Sequence, residues 1–244
     1  MNITVIGCWG GFPKVNEASS GYLIEEDGFT LLIDCGSGVL SKLQNHTKPA
    51  GLGAVILSHY HADHIADIGV LQYALLIDSF TEKTRDQPLA IYGHQEDSKF
   101  QTLTYKNITT GIAYDPDRSL SIGPFIITFM KTNHPAPCYA MRISAGGHTI
   151  VYTADTSFKK EMGEFAEGAD VLLAESNLYQ GMDGLSVGHM TSEEAGIVAQ
   201  MAGVRTLVLT HLPHFGDIER LKEEAAKQFD GTVVLARENL EIGL

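Results

Sequence analysis

The sequence is short of cysteine, tryptophan and positive charge. Three cysteines in 244 residues (Cys8, Cys35, Cys138) are too scattered and too few for a disulfide framework. Lysine and arginine total 17 against 30 aspartates and glutamates, a net charge of −13. No basic run relieves that balance, so long-range repulsion of polyanions disfavours general nucleic-acid coating. No apolar stretch approaches the roughly 18 residues of a membrane span, and the N-terminal segment lacks a basic lead with a cleavable apolar core. The expectation is a cytoplasmic chain with no membrane partner. Linkers, repeats and low-complexity segments are missing too, which predicts one domain over residues 1–244.

What is present is an ordinary globular mixture, 44% hydrophobic and 19% charged, long enough to bury about three quarters of its unfolded surface. Short β-branched runs bounded by turns predict strands at Ile3–Ile6, Tyr22–Glu25, Phe29–Asp34 and Ala54–Leu57. A short helix fits Gly38–Leu43, and an amphipathic one fits Ile65–Phe80, ending in the polar turn Thr81–Gln87. A second strand group spans Leu89–Tyr92, Ile108–Tyr114, Ile122–Lys131, Tyr139–Ser144 and Thr149–Thr153. The last third alternates strand Asp170–Glu175, helix Ser192–Ala202, strand Thr206–Leu209, helix Ile218–Gln228 and strand Thr232–Leu235. Thr191 with Glu194 forms a capping-box pattern, and Asp217 is a good N-cap, so both helix starts are set. This order predicts an α/β fold with helices outside packed sheets.

Histidine is unusually placed. Strand Ala54–Leu57 runs into Ser58-His59-Tyr60-His61-Ala62-Asp63-His64, which puts three histidines and an aspartate within six residues at a strand's C-terminal end. Imidazole with carboxylate, and no nearby thiol, suits zinc, manganese or iron in a catalytic rather than a structural site. His59 and His61 can face one ion while Asp63 and His64 turn toward another. A solvated polar loop is the bland alternative, and four donors at this spacing argue against it. His134, Asp155 and His211 each follow a predicted strand. Singly each has a dull explanation as a turn or cap residue, but jointly the seven supply two metal sites.

These segments resemble the metallo-β-lactamase superfamily, whose His-x-His-x-Asp-His signature stands here as His59, His61, Asp63 and His64. The likeness covers nearly the whole chain and is greatest to the ribonuclease Z-like and cyclic-phosphodiesterase branch. Ile33-Asp34-Cys35-Gly36-Ser37-Gly38, Tyr152-Thr153-Ala154-Asp155-Thr156, Gly188-His189-Met190-Thr191 and Leu209-Thr210-His211 carry it. The resemblance implies a four-layer αββα sandwich binding two divalent ions, zinc first and manganese as the alternative. His59, His61 and His134 would hold one, Asp63, His64 and His211 the other, with Asp155 and a water or hydroxide bridging them. Two ions roughly 3.5–4 Å apart acidify such a water and clamp a phosphodiester for in-line attack. Asp63 could also accept the water's proton. His189 matches the branch's general acid, Glu175 the residue that orients it, and Asp34 a carboxylate that fixes a ligand's tautomer.

His214 has two open readings, a substrate-phosphate contact or a loop decoration. Gly7-Cys8-Trp9-Gly10-Gly11 lacks nucleotide-loop spacing and fits a strand-ending turn beside the pocket. His46, His94 and His148 have no constellation around them. The transfer-RNA 3′-end nucleases of this branch carry a long arm between the counterparts of His134 and Asp155; here only residues 135–154 intervene, and the two predicted strands consume them. Small cyclic nucleotide-type phosphodiesters therefore rank first as substrate, with RNA possible but disfavoured. The alternatives are a ribonuclease Z-like tRNA 3′-end nuclease, a thioester or lactone hydrolase, and a non-catalytic binding module, the last opposed by a complete ligand set. Pairing into a homodimer is open.

Overall fold

The first strands are apolar in consecutive positions, and because successive side chains point to opposite faces of a sheet both faces must be covered. In the computed structural model, which describes residues 1–81 and 86–244, seven strands form the first sheet. They are β1 (Asn2–Gly7), β2 (Gly21–Glu26), β3 (Phe29–Ile33), β4 (Ala54–Ile56), β5 (Leu89–Gly93), β6 (Thr109–Ala113) and, beside β1, β14 (Glu241–Gly243). Tyr22, Ile24, Leu31, Ile33, Ala54 and Ile56 join the core shared with the other sheet. Leu23, Leu32, Val55 and Leu57 join a separate core with helices α1 (Val39–Leu43) and α3 (Ile68–Thr81).

The second sheet runs in the order β13-β12-β11-β10-β9-β8-β7. Its strands are β7 (Leu120–Ile122), β8 (Phe125–Lys131), β9 (Tyr139–Ala145), β10 (His148–Tyr152), β11 (Val171–Glu175), β12 (Thr206–Thr210) and β13 (Thr232–Leu235). Helices α4 (Glu161–Phe165), α5 (Ser192–Ala202) and α6 (Ile218–Ala226) lie along it, burying Ala195, Val198, Ala199 and Leu221 in the shared core. Helix, sheet, sheet and helix make the expected αββα sandwich of two mixed sheets. Among the described residues no helix is long and apolar enough to cross a membrane.

Two elements depart from expectation. The single strand predicted over Ile122–Lys131 is a hairpin, in which Ile122 pairs with Phe125 across a Gly-Pro turn with Gly123 at φ +55°. The helix predicted over Ile65–Phe80 breaks into α2 (Ala62–Ile65) and α3. Asp67 sits between them, its N–H on the Cys35 carbonyl (3.0 Å) and its carboxylate on the Leu40 N–H (2.9 Å), so the loop after β3 pins the break. Thr81 closes α3; residues 82–85 of the predicted turn lie outside the described residues. Helix α4 and strand β14 were not foreseen.

Strand direction then places the chemistry. β1 and β3 both run antiparallel to β2, and β4 runs parallel to β3, so β1, β3 and β4 end at one edge. In the second sheet β8 and β10 flank antiparallel β9, and β11, β12 and β13 follow parallel to β10. The C-terminal ends of these strands and the segments after them carry every residue that the sequence marks for metal or catalysis, the usual location of a site on an open sheet.

Candidate metal centre

The donor atoms converge. His59, His61, His134 and Asp155 offer ligand atoms within 4.8 Å of one another, and so do Asp63, His64, Asp155 and His211. Asp155 is common to both groups. One of its oxygens faces His64 Nε2 at 3.3 Å, while the other faces His211 Nε2 at 3.4 Å, His59 Nε2 at 3.7 Å and His134 Nε2 at 3.9 Å. Asp63 Oδ2 lies 3.1 Å from His211 Nε2 and 3.6 Å from His64 Nε2. Tetrahedral ligands at bond lengths of roughly 2.0–2.1 Å lie about 3.4 Å apart, so these separations suit atoms that share a cation.

A second observation agrees. His59 Nε2, His64 Nε2 and Asp155 Oδ1 are buried and have no hydrogen-bond partner. Orphaned buried polar atoms are costly unless something else satisfies them, and divalent cations would satisfy all of them together. The far sides of the rings are held. Asp34 takes His64 Nδ1 at 2.8 Å, Ser58 Oγ lies 3.0 Å from His59 Nδ1, and the Gly188 carbonyl lies 3.0 Å from His134 Nδ1. Asp34 also accepts from Ser58 N–H, Ser58 Oγ and the Tyr152 hydroxyl, so its orientation is fixed on every side. Partners of this kind set an imidazole's tautomer and aim its other nitrogen.

Electrostatics sharpen the picture. Burial, with help from neighbouring histidines, pushes His59 and His61 below the ordinary imidazole value, so both offer free lone pairs. Burial disfavours the His64 cation too, yet Asp155 and Asp34 outweigh it and raise that imidazole well above its usual range. Asp155 and Asp63, though buried, are held below the carboxylate range by the surrounding histidines. Two buried carboxylates thus face one another across the pocket, a concentration of negative charge that cations would meet.

His189 Nδ1 donates to Glu175 Oε1 at 2.9 Å, and its ring lies 5.2 Å from that of His211 and 5.3 Å from that of His134. Burial opposes the His189 cation, but the Glu175 carboxylate prevails and lifts it to about 9. Glu175 is itself fixed by the N–H groups of Thr156 and Asn177 (2.9 and 3.3 Å). His189 opens onto a cavity of about 430 Å³ that also reaches His61, Asp63, His134, Asp155 and His211, with Glu175 buried behind it. The structure therefore brings together all nine side chains that the sequence singles out for metal and catalysis.

His214 is an anchor: its Nε2 donates toward the carbonyls of Gly10 (3.0 Å) and Phe12 (2.7 Å), and its ring stacks on Phe12. The loop after β1 does border the pocket. Gly11 N–H donates to Asp63 Oδ2 at 2.7 Å, and a Cβ on Gly10 would collide with Asn177 Nδ2 and the His211 ring. His46 pairs with Asn239, His148 faces Asp170, and His94 is buried among Tyr60, Tyr114 and Tyr139, all away from the centre. All three cysteines are buried and free. Sequence inspection missed Asn177, Phe12 and Phe215 in the lining; the only hint was that each lies within two positions of a marked residue or glycine turn.

Residues 30–212 match the beta-lactamase superfamily domain. The chain is 55% identical to the probable metallo-hydrolase YhfI of Bacillus subtilis, over 97% of each sequence. The crystal structure of YhfI superposes with a TM-score of 0.97, at 53% identity over 99% of this chain and 98% of that one. A ribonuclease Z of Mycolicibacterium paratuberculosis is 29% identical, over 96% of this chain and 95% of its own. A diphosphatase of the PhnP family shares the fold, with a TM-score of 0.78 at 16% identity over 100% of this chain and 97% of that one.

Proposed function

The chain belongs to the metallo-β-lactamase superfamily as a metallo-hydrolase of its ribonuclease Z-like branch, and from that we propose that it is a dinuclear phosphodiesterase of small cyclic nucleotide-type substrates. His59, His61 and His134 would hold one divalent ion, Asp63, His64 and His211 the second, and Asp155 would serve both. Bound there, such ions neutralise a phosphodiester's charge and make hydroxide available at neutral pH. Imidazole and carboxylate donors suit zinc first and also manganese.

The observation that carries the proposal is the His189–Glu175 pair beside the ligand cluster. Glu175 accepts the Nδ1 proton and fixes the ring, leaving Nε2–H to protonate the departing alkoxide. Asp63, gripped by Gly11 N–H and His211, keeps one oxygen in the pocket and can take up the proton of the attacking water. The cavity's volume lies in the range of small-molecule sites. The thiolate leaving group of a thioester has less need of a donor here.

A leaving-group comparison tests the role of His189. In His189→Ala, hydrolysis of a cyclic nucleotide, which expels an alkoxide, is expected to fall about 10²–10⁴-fold in kcat, the usual worth of a general acid. Bis-p-nitrophenyl phosphate, whose phenolate leaves unaided, is expected to lose less than tenfold. Equal losses on both substrates with metal content unchanged would remove the proton-donor role. Wild-type rates on phosphodiesters below those on a thioester would remove the substrate class.

A further inference from the structure

The cavity is edged by two exposed aromatic rings that the chemistry at its floor does not need. Phe12, from the loop after β1, is 60% exposed, and Phe215, from the loop after β12, is 49% exposed. Both line the cavity that holds the ligand cluster. Exposed phenylalanine is commonplace singly, but these two are built in. The Phe12 ring lies flat on His214, with centroids 3.7 Å apart and planes inclined by 5°, and the same imidazole holds the Phe12 carbonyl. The Tyr179 hydroxyl donates to the Phe215 carbonyl at 2.8 Å, with the two rings 5.7 Å apart. The next residue, Gly216, sits at φ +75°, and a Cβ there would strike the Tyr179 ring. Each backbone is thus tied down by a buried or stacked partner, while about half or more of each residue's surface is left to solvent beside the site.

Resting on the phosphodiesterase reading above, we propose that Phe12 and Phe215 form a stacking platform that binds the planar base of a nucleotide whose phosphate lies over the His/Asp cluster. Rigid rings lose little freedom on binding, and base–aromatic stacking favours any base because every base has a π-face. The inferred substrate class is therefore nucleotides as opposed to simple alkyl or sugar phosphodiesters, with the base sensed as a flat surface.

The test compares each ligand with its base-free counterpart. In turnover, adenosine 2′,3′- and 3′,5′-cyclic phosphates are set beside the ribose cyclic phosphates that carry methoxyl in place of adenine. In binding, adenosine 5′-phosphate is set beside ribose 5-phosphate by calorimetry on metal-loaded protein. Wild type is expected to favour the base-bearing partner about tenfold in KM and in Kd. In Phe12→Ala and Phe215→Ala that preference should fall to about threefold or less, and Phe12→Trp should restore it. A wild type that treats both partners alike overturns the platform. So do alanine variants that lose turnover and affinity for both partners while keeping the ratio, since that marks a structural role. If wild type hydrolyses no cyclic phosphate, the phosphodiesterase reading fails, and the binding arm still decides whether the rings grip a base.

Discussion

Asp34 has two carboxylate oxygens and four donors around them: Ser58 N–H, Ser58 Oγ, His64 Nδ1 and the Tyr152 hydroxyl. Three of these meet Oδ2, and an amide in its place must turn its NH₂ toward either those three or the Ser58 N–H. Asp34→Asn is therefore expected to weaken zinc binding about 10–100-fold, the usual effect of losing a ligand's partner, with the far-ultraviolet circular dichroism unchanged. Competition with a chromophoric chelator measures this, and wild-type affinity in the variant would show that His64 orients itself. At this scale the sequence was informative wherever spacing alone confines side chains, as at His59, His61, Asp63 and His64. The role of Asp34 was legible only through the family resemblance of the segment that carries it. The Tyr152 contact was not, because a strand residue 118 positions away reaches it only through the packing of the two sheets. Nor was the backbone at Asp34, Ala154 and His211, all at φ between +51° and +55° without being glycine. Left-handed non-glycine residues at three strand ends beside one site are where surrounding contacts override local preference.

Helix α5 begins where its capping box says, at Ser192, because Thr191 Oγ1 accepts from Glu194 N–H and the Glu194 carboxylate accepts from Thr191 N–H. Helix α6 likewise starts after Asp217, whose side chain accepts from Glu219 N–H. Local hydrogen bonds set these boundaries, so local sequence reveals them. Glu224 is different: within a charged stretch of α6 it looks like a surface residue, yet it is buried. Its carboxylate takes Ser192 Oγ at 2.5 Å, Gln180 N–H at 2.8 Å and Arg220 Nε at 2.6 Å, tying α6 to the start of α5 and to the loop carrying Tyr179. Burial opposes its ionisation, but these donors prevail and hold it below the ordinary glutamate value. A folded-state value lower than the unfolded one stabilises the protein at pH above the unfolded value of about 4.3, and the gain vanishes as pH falls through the folded one. Glu224→Gln should thus cost about 1–3 kcal/mol at pH 7 in urea denaturation, with the gap to wild type closing below about pH 4. A gap that stays constant from pH 7 to pH 3 would mean that the carboxylate's charge is irrelevant.

Over the whole molecule, β-branched runs interleaved with helices were enough to predict sheets covered by helices, and they left strand order open. Pairing β1 with β14 joins Asn2 to Gly243, a contact that no local pattern encodes. Charge and chain length, by contrast, act globally and bear directly on substrate. Residues 135–154 are largely taken up by β9 and β10, so no RNA-clamping arm projects between His134 and Asp155. With a net charge of −13 the chain has few cations to neutralise a polynucleotide backbone, the contribution that dominates RNA affinity and makes it salt-dependent. A small cyclic phosphodiester would escape this penalty, since the proposed metal pair would meet its single charge. A 3′-extended precursor tRNA is therefore expected to be cleaved with a kcat/KM less than about one hundredth of that for a cyclic nucleotide. The difference should widen between 50 and 200 mM salt, because whatever weak RNA binding exists loses affinity with ionic strength while the small substrate barely responds. Comparable efficiencies for the two substrates at 150 mM salt would mean that another surface supplies the missing RNA contacts, and the ranking of substrates would reverse.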